Sequence, residues 1–124
     1  MSPCLTTAEL VLASGSRYRR ELLDRLRLPF RMMAAGVDES VKTGEGPRAL
    51  VQRLASAKAS AVALLSPDSW VIGSDQLAAS ADRILGKPGG REACIGQLGF
   101  VIGRTVEFLT ACCVTRQATG ESFQ

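Results

Sequence analysis

Residues 14–20, SGSRYRR, gather two serine hydroxyls and three guanidinium groups where an apolar run gives way to a helical pattern. Small residues let a backbone approach a ligand closely, and the free N–H groups that open a helix attract anions. Ser14 and Ser16 add hydroxyl donors. Arg17, Arg19 and Arg20 add charge in a form that matches phosphate oxygens in pairs. The plainer reading is a serine N-cap followed by a solvated arginine face. Cations at a helix N-terminus oppose the helix dipole, however, and are mildly unfavourable there without an anion nearby.

Six more positions carry chemistry. Asp75 follows the apolar run WVIGS, where a carboxylate can hold a metal, activate a water or simply cap a turn. Gln76 beside it donates and accepts hydrogen bonds and so can read a base edge. Lys58 lies on the apolar stripe of a helical segment, where a lysine either snorkels to the edge or meets a buried anion. Lys87, in the loop GKP, is a further phosphate contact. Asp38 and Glu39 in GVDES serve solubility or, beside a phosphate site, supply oxygen ligands to magnesium. The chain contains no histidine, so Ser–His and Cys–His nucleophiles are excluded, and a metal with an activated water is the more natural hydrolytic chemistry.

These groups need elements to hold them. Residues 9–14, ELVLAS, read as a short buried strand, and RRELLDRLRL as a helix with Leu22, Leu23 and Leu26 on one face, stopped by Pro29. A short strand is expected near Met32 and Met33. Gly46 and Pro47 start the clearest helix, whose stripe is Leu50, Val51, Leu54, Ala61, Val62 and Leu65. WVIGSD reads as a buried strand with a polar end, and QLAASADRIL as a hairpin turning at residues 81–83. Residues 92–98 suit a short helix, RTVEFLTACCV a longer strand, and TRQATGESFQ a turn entering one more strand. This order predicts a single α/β domain over residues 1–124, with a mixed sheet and flanking helices. In such sheets ligands collect beyond strand ends, beside helix N-termini, where both SGSRYRR and GSDQ are expected.

Composition narrows the class. The 124 residues are 46% hydrophobic and 22% charged, an ordinary globular mixture, and the net charge of +3 is too small for a bulk nucleic-acid binder. No apolar run approaches the ~20 residues of a membrane span. The opening residues lack the cationic head and long apolar body of a signal peptide. Cys4, Cys94, Cys112 and Cys113 form no CxxC pair. Zinc spacing is therefore absent, and a reducing cytoplasm is the simplest setting. Cys112 and Cys113 fall on opposite faces of a strand, both expected to act as small apolar residues.

With these pieces in order, the sequence resembles the Maf family of nucleotide pyrophosphatases, through LVLASGSRYRRELL, VDES, LASAKA, VIGSDQ and ILGKP in matching order and spacing. The resemblance implies hydrolysis of a nucleoside triphosphate between its α and β phosphates, a divalent metal such as magnesium, and a twisted mixed sheet like that of inosine-triphosphate pyrophosphatases. It also implies pairing into homodimers. By position, Ser14, Ser16, Arg19 and Arg20 line the phosphate loop, with Lys58 and Lys87 reaching the same cleft. Glu39 takes the metal, and Asp75 accepts the proton of the attacking water. Tyr18 and Gln76 match the aromatic–glutamine pair of members acting on 7-methyl-GTP. A cationic N7-methylated guanine stacks well on an aromatic face. Arg17 stands where a proline is common, and FLTACC where YTG is usual. Family members usually run well past residue 124, so the resemblance implies a domain incomplete at its C-terminus. The alternative expectation is a nucleotide-binding or interaction protein that keeps the loop without a complete active site.

Overall fold

A computed structural model of the chain describes residues 9–34, 36–81, 83–85 and 90–124. In chain order the elements are β1 (Leu10–Leu12), α1 (Arg17–Asp24), β2 (Arg31–Met32), α2 (Pro47–Leu65), β3 (Trp70–Ser80), β4 (Arg83–Leu85), α3 (Arg91–Val101), β5 (Glu107–Arg116) and β6 (Glu121–Phe123). The sheet runs β2-β1-β3-β5-β6, with β4 also on β3. β1 pairs in parallel with β2 and β3, and the other ladders are antiparallel. This is the expected mixed α/β sheet.

α2 starts where Gly46 and Pro47 place it, with proline at the first helical position, where its missing N–H costs nothing. Its buried face is Leu50, Val51, Leu54, Ala55, Ala59, Val62 and Ala63. The expected stripe is corrected at its end, because Ala61 is half-buried and Leu65 is exposed. The helix crosses a twisted sheet, so its contact line winds around it and has moved to Ala59 and Ala63 by the last turns.

β3 is longer than its polar centre suggests. It continues through Asp75 and Gln76 to Ser80, held by an unbroken ladder to β5 from Val71↔Thr115 to Ala79↔Glu107. Asp75 is therefore a mid-strand residue rather than a strand end. α1 is also shorter than expected. It ends at Asp24, ahead of Pro29, in a turn where Arg27 has φ 55°, and it buries no residue. Leu22 and Leu26 are exposed. Cys113 is buried in the core as expected, but Cys112 on the other face is exposed. Cys4 lies outside the described residues.

The core joins Val11, Ala13, Ala55, Ala59, Val62, Ala63, Val71 and Cys113, with Met33 and Ala111 packed against it. Its largest fully buried side chains are valines, so the layer between α2 and the sheet is thin. Gly73 makes this thinness possible. A Cβ there would lie 2.3 Å from the Ala55 carbonyl oxygen and 2.6 Å from the Ala59 amide nitrogen. Backbone meets backbone at that point.

Gly73→Ala should lower stability by about 1–3 kcal/mol, the usual cost of overpacking, measured as a shift in urea midpoint. Gly96→Ala in α3, whose added Cβ meets nothing within 4 Å, should be neutral or stabilising.

Candidate active site

The close approach of β3 and α2 fixes the candidate site. Lys58 precedes Ala59 on α2, and Asp75 lies two residues beyond Gly73 on the same face of β3. The Lys58 ammonium consequently sits 2.9 Å from Asp75 Oδ1 and 3.1 Å from Glu39 Oε1. The Lys58 and Asp75 side chains are 14% and 10% exposed, while Glu39 is 61% exposed. Of the two fates open to a lysine on an apolar stripe, the buried anion is the one observed.

The serine–arginine junction adjoins this cluster. β1 runs beside β3 with Leu12 opposite Ile72, and the Ala13 amide donates to the Ile72 carbonyl at 2.8 Å. Ser14 is buried, and its hydroxyl accepts from the Ser16 amide at 3.0 Å. Ser16 caps α1 by accepting from the Arg19 amide at 3.3 Å. The cap of the plainer reading is thus present. Among the described residues, none of Arg17, Arg19 and Arg20 forms an ion pair, so the cationic helix opening is left without an anion.

Among the described residues, the edge of β3 facing this junction has no strand partner in its middle. β1 pairs with residues 70–72 and β4 with residues 78–80, and β5 occupies the other edge throughout. Residues 73–77 form the gap, the kind of crevice where α/β sheets bind ligands. Side chains alternate along a strand, so Asp75 points towards α2 and Gln76 to the opposite face. There Gln76 shares a hollow of about 800 Å³ with Arg19, Leu98, Val101 and Phe108. Arg20 instead lines a separate hollow with Asp24, Leu28 and Phe30. Tyr18 is exposed and lines neither of these hollows, and Phe108 is the aromatic ring beside Gln76. The structure therefore brings Glu39, Lys58 and Asp75 together, sets Ser14 and Ser16 just beyond the end of the strand beside β3, and puts Arg19 with Gln76 on the face opposite α2. Lys87 lies outside the described residues.

A Maf-like protein family model matches residues 9–124. The chain belongs to the Maf-like family. Curated relatives named 7-methyl-GTP pyrophosphatase include one from Alcanivorax borkumensis, 47% identical over 116 residues that make up 94% of this chain and 59% of the relative. One from Bordetella pertussis is 54% identical over 86% of this chain and 54% of its own length. One from Xanthomonas oryzae pv. oryzae is 53% identical over 82% and 54%. The chain thus spans between half and three-fifths of the length of these relatives.

The acidic loop contains a feature that spacing did not reveal. Arg53 donates from Nε to Glu45 Oε2 at 2.8 Å and from Nη2 to Glu45 Oε1 at 3.0 Å and the Ser40 carbonyl at 2.7 Å. Hydrogen bonds from Arg53 hold the Glu45 carboxyl below the ordinary glutamate range, and those same bonds hold Arg53 above its own. The Ser40 hydroxyl, then its amide, likewise lower Asp38. Glu45 ahead of Gly46–Pro47, with Arg53 two turns on, was the only signal available.

No group of three histidine, cysteine, aspartate or glutamate residues able to hold a metal occurs among the described residues. Glu39 and Asp75 nevertheless converge on one ammonium, and magnesium commonly takes only one or two carboxylates, with substrate phosphates and water completing its shell. The donor set fits that case.

Lys58→Met should strand the Asp75 carboxylate and cost about 3 kcal/mol, with Asp75→Asn on top restoring part of the loss in denaturant melts. A carboxylate made more acidic by folding adds stability above its unfolded pKa and loses that contribution as pH falls through its folded one. The 38–45 loop should therefore hold from neutral pH down to about pH 4.3, the ordinary glutamate value, and loosen below it. Backbone amide shifts of Ser40 and Lys42 would follow this, and loosening near neutrality would contradict it.

Proposed function

We propose that this chain carries the catalytic residues of a nucleoside triphosphate pyrophosphatase that cleaves between the α and β phosphates, converting 7-methyl-GTP to 7-methyl-GMP and pyrophosphate. The observation that carries this reading is the Lys58 ammonium held between Asp75 and Glu39, beside the Ser14–Arg20 junction. The names of the relatives point the same way.

On this reading the triphosphate lies at the helix opening. Ser14, Ser16 and Arg19 hold its oxygens, and Arg20 and Lys87 add to the phosphate contacts. Lys58 neutralises charge that builds on the phosphate under attack. Asp75, oriented by its ion pair with Lys58, takes the proton of the attacking water. Glu39, exposed and paired with Lys58, is the ligand for magnesium, which would supply charge neutralisation at the phosphates when bound. Gln76 reads the base from the far side of the gap, with Tyr18 offering the stacking face. Cys94, Cys112 and Cys113 are free thiols, which suits a cytoplasmic enzyme. The exposed strand β6 suits a homodimer formed edge to edge.

Pyrophosphate release from 7-methyl-GTP, GTP, UTP and dTTP with magnesium tests the reading. 7-Methyl-GTP should turn over fastest. Asp75→Asn should lower kcat by about 10²-fold or more, while Cys112→Ser retains activity. Tyr18→Arg with Gln76→Thr should shift preference towards pyrimidines. Nucleotide binding without any turnover would instead favour a non-catalytic binding protein.

A further inference from the structure

Glu39 raises a problem of position. It lies in a stretch between β2 and α2 where residues 36–46 form neither helix nor strand, and it is largely exposed. Ordering an exposed loop costs about 1–2 kcal/mol per residue in backbone entropy, and one ion pair to Lys58 does not offset that. Other contacts must hold the loop.

Arg53 provides them. Its guanidinium grips both oxygens of Glu45 and the carbonyl of Ser40, closing the loop at two points. The loop is shaped to be gripped. Asp38 Oδ1 accepts from the Ser40 amide at 2.9 Å and hydroxyl at 2.5 Å, and Glu45 Oε1 accepts from the Lys42 amide at 3.1 Å. The turn closed by Asp38 and Ser40 contains Glu39. Arg53 and Lys58 stand on the same helix, about 7.5 Å apart along its axis at 1.5 Å per residue. One helix thus holds the loop at Ser40 and receives Glu39 from it. The Glu45 side chain is only 10% exposed, so the fork is shielded from the solvent that weakens most surface pairs.

We propose that Arg53 is a positioning residue, clamping the 38–45 loop through Glu45 and Ser40 so that the Glu39 carboxylate is presented to Lys58 and to the substrate-bound magnesium. The magnesium part rests on the function proposed above, and the clamp itself does not. Arg53 touches no reacting atom and works through Glu39.

The test uses the whole chain and four variants: Arg53→Ala, Arg53→Lys, Glu45→Gln and, as a control in the first turn of the same helix, Arg48→Ala. Hydrogen exchange at the Ser40 and Lys42 amides should accelerate about tenfold in Arg53→Ala, less in Arg53→Lys, and stay unchanged in Arg48→Ala. Glu45→Gln opens the same clamp from its other side and serves if Arg53→Ala does not fold. In hydrolysis of 7-methyl-GTP, Arg53→Ala should raise the magnesium concentration giving half-maximal rate by about 10-fold, with kcat at saturating magnesium much less affected. In a Glu39→Gln background the same substitution should have no further effect on that concentration. Unchanged loop exchange overturns the clamp. Equal losses with and without Glu39 overturn its link to Glu39. A wild-type chain that hydrolyses no nucleotide overturns the functional reading alone, since the exchange rates then decide the clamp without substrate.

Discussion

The lone hydrogen that serves Gly73 as a side chain lets β3 lie directly against the backbone of α2 at Ala55 and Ala59. Interiors are packed like crystals, so a spacing set at one point is transmitted along both elements. Arg53 precedes that contact on the helix, Lys58 lies between its two points, and Asp75 follows it on the strand. Their reach depends on the thin layer between them. A lysine stem spans that layer and ends on a carboxylate. With a leucine-thick core the same stem would stop in apolar packing, and the charged group would be costly rather than functional.

Electrostatics divides the site in two. On the α2 side, charges are matched: Lys58 lies between two carboxylates, and Arg53 holds a third. At the opening of α1 they are not matched among the described residues, where three arginines crowd a dipole end that repels them. Such an arrangement stores a preference for anions. On the proposed reading the triphosphate supplies negative charge there, and it passes from the acid–base side towards Gln76 along β3 residues 73–77, which have no strand partner on that edge among the described residues.

Much of this was legible in the residues. Gly46–Pro47 marked α2 because proline tolerates only the first turn, and the junction at 14–20 announced itself by charge placed against a dipole. Asp75 was found by its neighbours, although it was misread as a strand end. Strand ends are inferred from polar residues, and a polar residue inside a ladder is disguised when its partner, here Lys58, comes from another element. Leu22, Leu26 and Leu65 misled for the opposite reason: helical spacing identifies a face, but not whether anything covers it. The Arg53 clamp left almost no trace, because a guanidinium that reaches back across a loop has no fixed interval. Gly73 went unnoticed, because its contact with α2 depends on how helix and sheet cross.

The parallel pairing of β1 with β3 also dictates an order of assembly. α2 and β3 are joined by residues 66–69 alone, so their mutual docking closes only a short loop. β1 reaches β3 only after α1, β2 and α2 have intervened, and it offers three residues of ladder. The helix–strand unit bearing Lys58 and Asp75 therefore forms early, and the serine-bearing strand joins late. Anything that binds at the junction therefore also fastens this late-joining strand to the sheet.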